Sequence, residues 1–133
     1  MIAAVLDPFE HQLTLVNAGH MPPMLRHSGG MVEAIGQDEA GLPLGVMEEY
    51  DYDRYVRSLE PGDFLTLFTD GISEAMNTEK QLYGLERLAS QIGTQAASVS
   101  DLGLQILDDV RTFVGSQPQS DDMCLACFGR EIG

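Results

Sequence analysis

The sequence predicts an α+β domain in which antiparallel strands come first, two helices follow, and one strand ends the chain. Short apolar runs with strand-like alternation are separated by turn residues, as in Gln12–Asn17 and the turn Ser28-Gly29-Gly30. Apolar residues then recur at helical spacing in two segments between residues 82 and 113. A parallel α/β sheet would need a crossover helix between successive strands, and the strands before residue 70 show none.

The predicted strands alternate or run apolar over short lengths bounded by Gly, Pro, Asn and Asp. In order they are Ile2–Leu6, Gln12–Asn17, Met24–Arg26, Met31–Ile35, Tyr50–Leu59, Phe64–Phe68 and Met123–Phe128. The turn at residues 7–11 joins the first two into an antiparallel hairpin. Residues 36–49 have no period and are predicted to form a loop, in which Gly41–Val46 makes an ordered turn over the core.

Two helices are predicted between the sixth and the last strand. The first has its apolar stripe at Leu82, Leu85, Leu88, Ala89 and Ile92. Gly93 is placed to end it. The second is predicted to have Ser100 as its N-cap, and its apolar stripe is formed by Leu102, Ile106, Val110 and Phe113.

Length and charge limit the classes of function. The 133 residues suit one domain with its own core. With 21 acidic and 7 basic residues the formal net charge is −14, which argues against a nucleic-acid partner and suits divalent cations or basic partners. No apolar run approaches the roughly 20 residues of a membrane span, so no membrane association is expected.

The two cysteines indicate a reducing compartment. Cys124 and Cys127 are three residues apart in a predicted strand, where side chains alternate between faces, so they are not expected to bridge. They are predicted to be buried free thiols, and this predicts a cytoplasmic location.

Asp70 is the first candidate for chemistry. It stands at the end of the apolar run Phe64–Phe68 and is followed by Gly71. A carboxylate at the end of a buried strand needs a cation or several hydrogen-bond donors to stay ionised. Two interpretations follow: Asp70 caps the turn into the next helical segment, or it is a metal ligand, with Gly71 allowing close approach to the backbone.

Asp121 and Asp122 are the second candidates, because they directly precede the last predicted strand. If that strand is an antiparallel neighbour of Phe64–Phe68, the end of one lies beside the start of the other, and Asp70 and Asp121 face a common cation. Carboxylate oxygens suit Mg²⁺, Mn²⁺ or Ca²⁺ rather than zinc. The alternative is a simple turn before a strand.

Five motifs in order resemble those of bacterial metal-dependent protein serine/threonine phosphatases of the PPM type. The branch is that of the sporulation stage II phosphatase and the phosphatases that regulate alternative sigma factors. The motifs are residues 17–23 (NAGHMPP), 41–45 (GLPLG), 59–63 (LEPGD), 69–75 (TDGISEA) with Tyr83-Gly84, and 120–123 (SDDM).

This resemblance implies a sandwich of two antiparallel sheets flanked by helices, with two Mn²⁺ or Mg²⁺ ions at one edge. It implies that metal-activated water hydrolyses phosphoserine or phosphothreonine on a regulatory phosphoprotein. By the same resemblance Asp70 and Asp121 are catalytic metal ligands, and Asp122 is a supporting or alternative ligand. His20 is expected to be a structural histidine of its turn.

The family pattern also has an upstream acidic motif and a Gly-Asp pair that supply further ligands, and neither is present here. Residues 1–133 therefore resemble the C-terminal part of such a domain. We expect weak metal binding and weak turnover, and the alternative function is a module that holds a phosphoprotein without hydrolysing it. Unpaired strand edges also predict a homodimer with its contact at or near the hairpin Ile2–Asn17.

Overall fold

The computed structural model describes residues 1–133 and arranges the strands in two antiparallel sheets. The strands are β1 (Ile2–Asp7), β2 (Gln12–Asn17), β3 (Met24–Arg26), β4 (Val32–Ala34), β5 (Tyr55–Ser58), β6 (Phe64–Phe68) and β7 (Leu125–Gly129). The helices are α1 (Asp70–Ser73), α2 (Leu85–Ile92) and α3 (Val99–Val114). The predicted α+β class is confirmed.

The first sheet has three strands in the order β1-β2-β5. The predicted hairpin is present, with Ile2 paired to Asn17 and Asp7 paired to Gln12. Along β2 the alternation of the sequence becomes an alternation of faces, because Leu13 and Leu15 are buried while their neighbours are more exposed. β1 is an edge strand, and its outer side is unpaired.

The second sheet has four strands in the order β4-β3-β6-β7. Its inner face packs against the first sheet and forms the sandwich that the family resemblance implies. This inter-sheet core consists of buried aliphatic side chains from both sheets and the connecting segments: Leu13, Leu15, Leu25, Ile35, Leu59 and Leu65.

The helices cover the other face of the four-stranded sheet. The predicted stripe of the first helix is wrong at its start, since Leu82 lies before α2 and both Leu82 and Leu85 are exposed. The rest of both stripes packs against the sheet, and Leu88, Ile92, Leu102 and Ile106 are fully inaccessible to solvent. They pack with Phe68 of β6, so this central strand contributes to both cores. No helix in the structure combines the length and the apolar character needed to cross a membrane.

The strand predicted at Tyr50–Leu59 is wrong in its first half, since β5 begins only at Tyr55. The rings of Tyr50 and Tyr52 instead meet edge-on at 4.7 Å, and the Tyr52 hydroxyl donates a hydrogen bond to the Leu42 carbonyl. These tyrosines pack beside Gly41 rather than along the sheet. The two aromatic side chains at alternating positions therefore form a contact within a loop. Their spacing in the sequence is the same as in a strand, which is why a strand was predicted.

The loop at residues 41–46 also differs from its prediction. It packs against the turn after β2, where Ala18 bridges to Gly41, and a Cβ at Gly19 would lie 2.6 Å from the Pro43 ring. Its apolar side chains Leu44 and Val46 are exposed rather than laid over the core. The segment is ordered by contacts with another turn.

Two local predictions need correction. The N-cap of α3 is Ser98, not Ser100, because the Ser98 hydroxyl accepts a hydrogen bond from the Asp101 main-chain N–H at 3.1 Å. Both cysteines are free as expected, but Cys124 is exposed and only Cys127 is partly buried. Burial raises the pKa of the Cys127 thiol.

Candidate metal centre

The candidate centre lies where β6 ends and β7 begins. These strands are antiparallel neighbours, and Phe68 at the end of β6 is paired with Leu125 at the start of β7. Asp70 follows β6 after one residue and is the first residue of α1. Asp121 and Asp122 lie in the loop just before β7. The strand pairing on which the metal-site hypothesis depended is therefore present.

Thr69 forms hydrogen bonds that connect the end of β6 to the segment before β7. Its hydroxyl donates a hydrogen bond to the Asp122 carbonyl at 3.1 Å and accepts one from the Cys124 main-chain N–H at 3.0 Å. Its own main-chain N–H donates to the Cys124 carbonyl at 3.1 Å. Three hydrogen bonds thus fix the position of Asp70 relative to the acidic loop.

Gly71 lets the acidic loop approach the start of α1. A Cβ on this residue would collide with the carbonyl oxygen of Asp122 and lie 2.9 Å from its carbonyl carbon. The sequence hypothesis gave Gly71 the role of permitting close approach to the backbone. The partner in that approach is the main chain of Asp122.

The capping interpretation of Asp70 does not fit the structure. Thr69 occupies the N-cap position of α1, and no side chain forms a capping hydrogen bond. Asp70 is exposed, as are Asp121 and Asp122. Asp121 has a local role, since its Oδ1 accepts a hydrogen bond from the Asp122 main-chain N–H at 2.7 Å.

These residues fit a hard divalent cation in donor type but not in number. Exposed carboxylates on segments that hydrogen bonds hold together suit Mg²⁺ or Mn²⁺. However, no group of three or more His, Cys, Asp or Glu side chains is placed to hold one metal ion. The structure brings together the segments that carry Asp70, Asp121 and Asp122, and it does not bring their side chains into a complete cage.

A cavity of about 410 Å³ lies on one side of the acidic loop. Gln119 and Met123 of the loop line it together with Arg111 and Val114 of α3. Arg111 supplies a guanidinium group close to a loop that otherwise carries negative charge. Neither Arg111 nor Thr69 was singled out by sequence reasoning, although Thr69 stands directly before Asp70 in the quoted motif.

His20 behaves as the structural turn residue that was expected. Its main-chain N–H donates to the Asn17 side-chain oxygen at 2.7 Å, and the Asn17 amide donates back to the His20 carbonyl at 3.0 Å. Its ring Nδ1 lies 2.9 Å from the Met21 carbonyl oxygen. The ring is therefore engaged within its own turn.

Comparison with known proteins identifies the family. The model of the family described as Stage II sporulation protein E (SpoIIE) matches residues 1–131. This chain belongs to the SpoIIE family. The resemblance that the sequence motifs carried is thereby confirmed.

Individual members of the wider group are similar over different lengths. Phosphoserine phosphatase RsbU of Bacillus subtilis is 37% identical over 65 residues, which cover 49% of this chain and 19% of RsbU. The SiaA-PP2C domain of Pseudomonas aeruginosa has a TM-score of 0.80 at 20% identity and covers 98% of this chain and 51% of that one. The phosphatase domain of SpoIIE from Bacillus subtilis has a TM-score of 0.74 at 17% identity, covering 100% of this chain and 57% of that one.

These values confirm the phosphatase-domain fold. They also show that the chain spans about half the length of the structures it matches, and about a fifth of the curated relatives.

Proposed function

We propose that this chain belongs to a metal-dependent phosphatase that hydrolyses phosphoserine or phosphothreonine on a regulatory protein, such as an anti-sigma-factor antagonist. The observation that carries the proposal is that Thr69, the residue before Asp70, forms hydrogen bonds with the segment that follows Asp121. Gly71 leaves the space that this segment occupies. The family match over residues 1–131 supports the same proposal. The similarity to an enzyme named phosphoserine phosphatase supports the substrate class.

In this proposal Asp70 and Asp121 are the metal-holding carboxylates, and Asp122 supports them or substitutes for one of them. These residues would hold Mn²⁺ or Mg²⁺, with two ions in the complete family site, and the metal would supply charge neutralisation at the phosphate and activation of water. The chain contributes the fixed positions: Thr69 holds the loop, and Gly71 leaves the space that the loop occupies. Hydrolysis forms a bond between the water oxygen and phosphorus and breaks the bond between phosphorus and the side-chain oxygen. The products are inorganic phosphate and the serine or threonine hydroxyl, which takes up a proton from the water.

Arg111 is our candidate for contact with the phosphoprotein. It lines the cavity beside the acidic loop, and a guanidinium group is suited to bind phosphate oxygens. The formal net charge of −14 makes such a positive group important for an anionic substrate.

A second candidate function is a module that holds a phosphoprotein without turnover. The observation that favours it is the lack of any cluster of three or more potential metal-binding side chains. With so few ligands, the charge that develops on the phosphate would be poorly neutralised. We therefore expect residues 1–133 alone to turn over substrate weakly or not at all.

The test is phosphate release from a phosphoserine peptide by this chain with Mn²⁺, with peptide binding measured in parallel. Weak release that Asp70→Asn and Asp121→Asn abolish would support the enzyme. The control is Asp51→Asn, which removes an exposed acid from the loop before β5. Peptide binding without release would support the second candidate. Robust Mn²⁺-dependent release lost in Asp70→Asn would contradict the expected weakness, and release unchanged in Asp70→Asn would contradict the assignment of the site.

We further propose that the chain forms a homodimer in the cytoplasm. The free edge of β1 and the apolar outer face of its sheet support the dimer. The free thiols of Cys124 and Cys127 support the compartment.

A further inference from the structure

Arg26 is a buried charge that the fold leaves without a counterion. It is the last residue of β3 and only 8% exposed. Its Nε atom is buried with no hydrogen-bond partner, and none of the ion pairs in the chain involves it. An arginine cannot neutralise itself by losing a proton, so a buried one needs a compensating group.

The internal compensation is small. The guanidinium carbon lies 5.5 Å from the centre of the Phe64 ring, which is directly opposite Arg26 in the sheet. A cation–π contact of this kind stabilises a charge less than a paired carboxylate does. Apart from the buried Nε, the other guanidinium N–H groups also form no hydrogen bond within the chain, and these are the groups that a ligand in the cavity would contact.

Arg26 lines a cavity of about 440 Å³ between the sheet and the start of α3. This volume lies within the range of roughly 300–1,000 Å³ that is usual for small-molecule sites. The remaining wall comes from Ser28 and Gly62 beside the sheet, from Phe64 and Gly129 on it, from the chain end at Glu131 and Ile132, and from residues 95–99.

The beginning of α3 faces the same cavity. Ser98 is its N-cap and Val99 its first residue, and both line the cavity wall. The first N–H groups of a helix have no partners inside the helix, and the positive end of the helix dipole favours an anion there. The N-terminus of a 16-residue helix and a buried arginine thus face one space, and the Asp101 carboxylate in the first turn of the helix offsets part of the positive potential there.

The acidic groups near this cavity form no ion pair with Arg26. The Asp101 carboxylate accepts a hydrogen bond from the Ser98 hydroxyl at 2.9 Å. Glu131 lines the cavity but is exposed and forms no ion pair with Arg26. Glu131 should repel an anionic ligand, which provides a variant with a predicted gain of affinity.

We propose that this cavity binds a phosphate group, either as free phosphate or as a small phosphate ester. The site is separate from the candidate metal centre, because Phe64 begins β6 at the cavity whereas Asp70 follows its other end. β6 spans four residue steps, so at about 3.4 Å per step its two ends, and the two sites beside them, lie roughly 14 Å apart. The proposal does not depend on the proposed phosphatase activity.

The test is titration of the 133-residue chain with inorganic phosphate and, separately, with glycerol 3-phosphate, at ionic strength held constant with sodium chloride. Main-chain amide shifts are followed by NMR. We expect saturable shifts centred on residues 95–99, Ser28 and Gly129. Glycerol 3-phosphate binding more tightly than phosphate identifies an ester site, and the reverse identifies a free-phosphate site. Shifts confined to the acidic loop, or equal shifts with chloride, would overturn the proposal.

Arg26→Met retains an apolar stem and removes the charge. Because charge-assisted hydrogen bonds are lost, we expect phosphate to bind roughly tenfold more weakly or worse. Without phosphate the variant should be at least as stable as the parent, since an unpaired buried charge has been removed. A purely structural arginine would instead give a destabilised variant and no phosphate-specific shifts in the parent.

Two further variants complete the test and keep it decisive if Arg26→Met folds poorly. Glu131→Gln should bind phosphate several-fold more tightly, because it removes a like charge from the cavity wall. Arg54→Met removes an exposed arginine from the segment before β5 and should leave the affinity unchanged. Equal loss of affinity in Arg54→Met and Arg26→Met, or no gain in Glu131→Gln, would contradict a specific site.

Discussion

Gly71 is the residue on which the geometry of the candidate centre depends most directly. A side chain there would displace the Asp122 carbonyl, to which Thr69 also bonds. We expect Gly71→Ala to lower the free energy of unfolding by about 1–3 kcal/mol, the usual cost of overpacking. It should also weaken Mn²⁺ binding, because the acidic loop moves away from Asp70. Urea denaturation and Mn²⁺ titration of the same variant measure both effects.

Gly103→Ala is the matched control for this substitution. Gly103 lies within α3, and a Cβ there would make only ordinary contacts, at 3.9 Å from the Cys127 sulfur. Replacing a helical glycine by alanine should stabilise the chain by roughly 0.5–1 kcal/mol. If Gly71→Ala is as stable as Gly103→Ala and binds Mn²⁺ normally, the close approach of the loop is not what shapes the centre.

At the scale of elements, a polar cluster joins α2 to α3. The Tyr83 hydroxyl donates to Asp109 Oδ2 at 2.7 Å, and Arg87 Nε donates to the same oxygen at 3.1 Å. The Arg87 guanidinium also lies 4.7 Å from the centre of the Phe113 ring. The hydrogen bond from Arg87 is the main reason why the pKa of Asp109 is lowered. Burial, followed by the bond to Asp109, raises the pKa of Tyr83.

This cluster predicts a pH dependence of stability. The pKa of Asp109 is lower in the folded chain than in the unfolded chain, so its contribution is complete above the ordinary aspartate pKa of about 3.9 and is lost as the pH falls through the folded value. Since Arg87 is 43% exposed, we expect a contribution of only about 1 kcal/mol. Denaturation between about pH 6 and pH 3 should show a shallower acid loss for Asp109→Asn than for the parent.

Asp108→Asn provides the control, because Asp108 is the exposed neighbour on the same helix. It should retain the parent's pH profile. A parent and an Asp109→Asn variant with parallel profiles would show that Asp109 does not link the two helices.

Elements with one dominant local signal were predicted well from the sequence. β2 and β6 match their predicted bounds because one alternates cleanly and the other is a short apolar run between a turn and Asp70. The stripe of α3 and the second half of the stripe of α2 were found because burial on one helical face leaves a periodic pattern. Leu82 and Leu85 continue that spacing but are exposed. The strand predicted at Tyr50 and Tyr52 was wrong because a contact within a loop produced the same alternation as a strand.

The site was predictable in part. The meeting of the segments that carry Asp70, Asp121 and Asp122 followed from antiparallel pairing of two acid-bearing strand ends. The hydrogen bonds of Thr69 and the unpaired state of Arg26 did not, because both depend on which segments meet across long sequence separations. A lone arginine in a short strand carries no sequence signal of that kind.

At the scale of the whole molecule, the layers are sheet, sheet and helices, and the outer face of the three-stranded sheet has no helix over it. Val5 is paired with Thr14, and Thr14 with Val56, so these side chains form a row across that face. Val5 is 66% exposed and Val56 is 51% exposed. Together with the free edge of β1, this face is the contact we expect in a homodimer.

Light scattering coupled to size exclusion tests the dimer at micromolar concentration. We expect a dimer at about 0.1 M salt, where charges are screened over about 10 Å, and partial dissociation at low salt because of the net charge of −14. Val5→Lys should give a monomer. Leu104→Lys, at an exposed apolar position of α3, should not. A compact parent monomer under both conditions would contradict the dimer and show that the open face needs no partner.

We propose that Asp70 and Asp121 hold one divalent cation between the end of β6 and the start of β7. The most direct test of this claim is titration of this chain with Mn²⁺, with free ion followed by electron paramagnetic resonance. We predict weak saturable binding that Asp70→Asn and Asp121→Asn each reduce by roughly tenfold or more, while Asp51→Asn leaves it unchanged. Binding by Asp70→Asn equal to that of the parent, or no saturable binding by the parent, would contradict the claim.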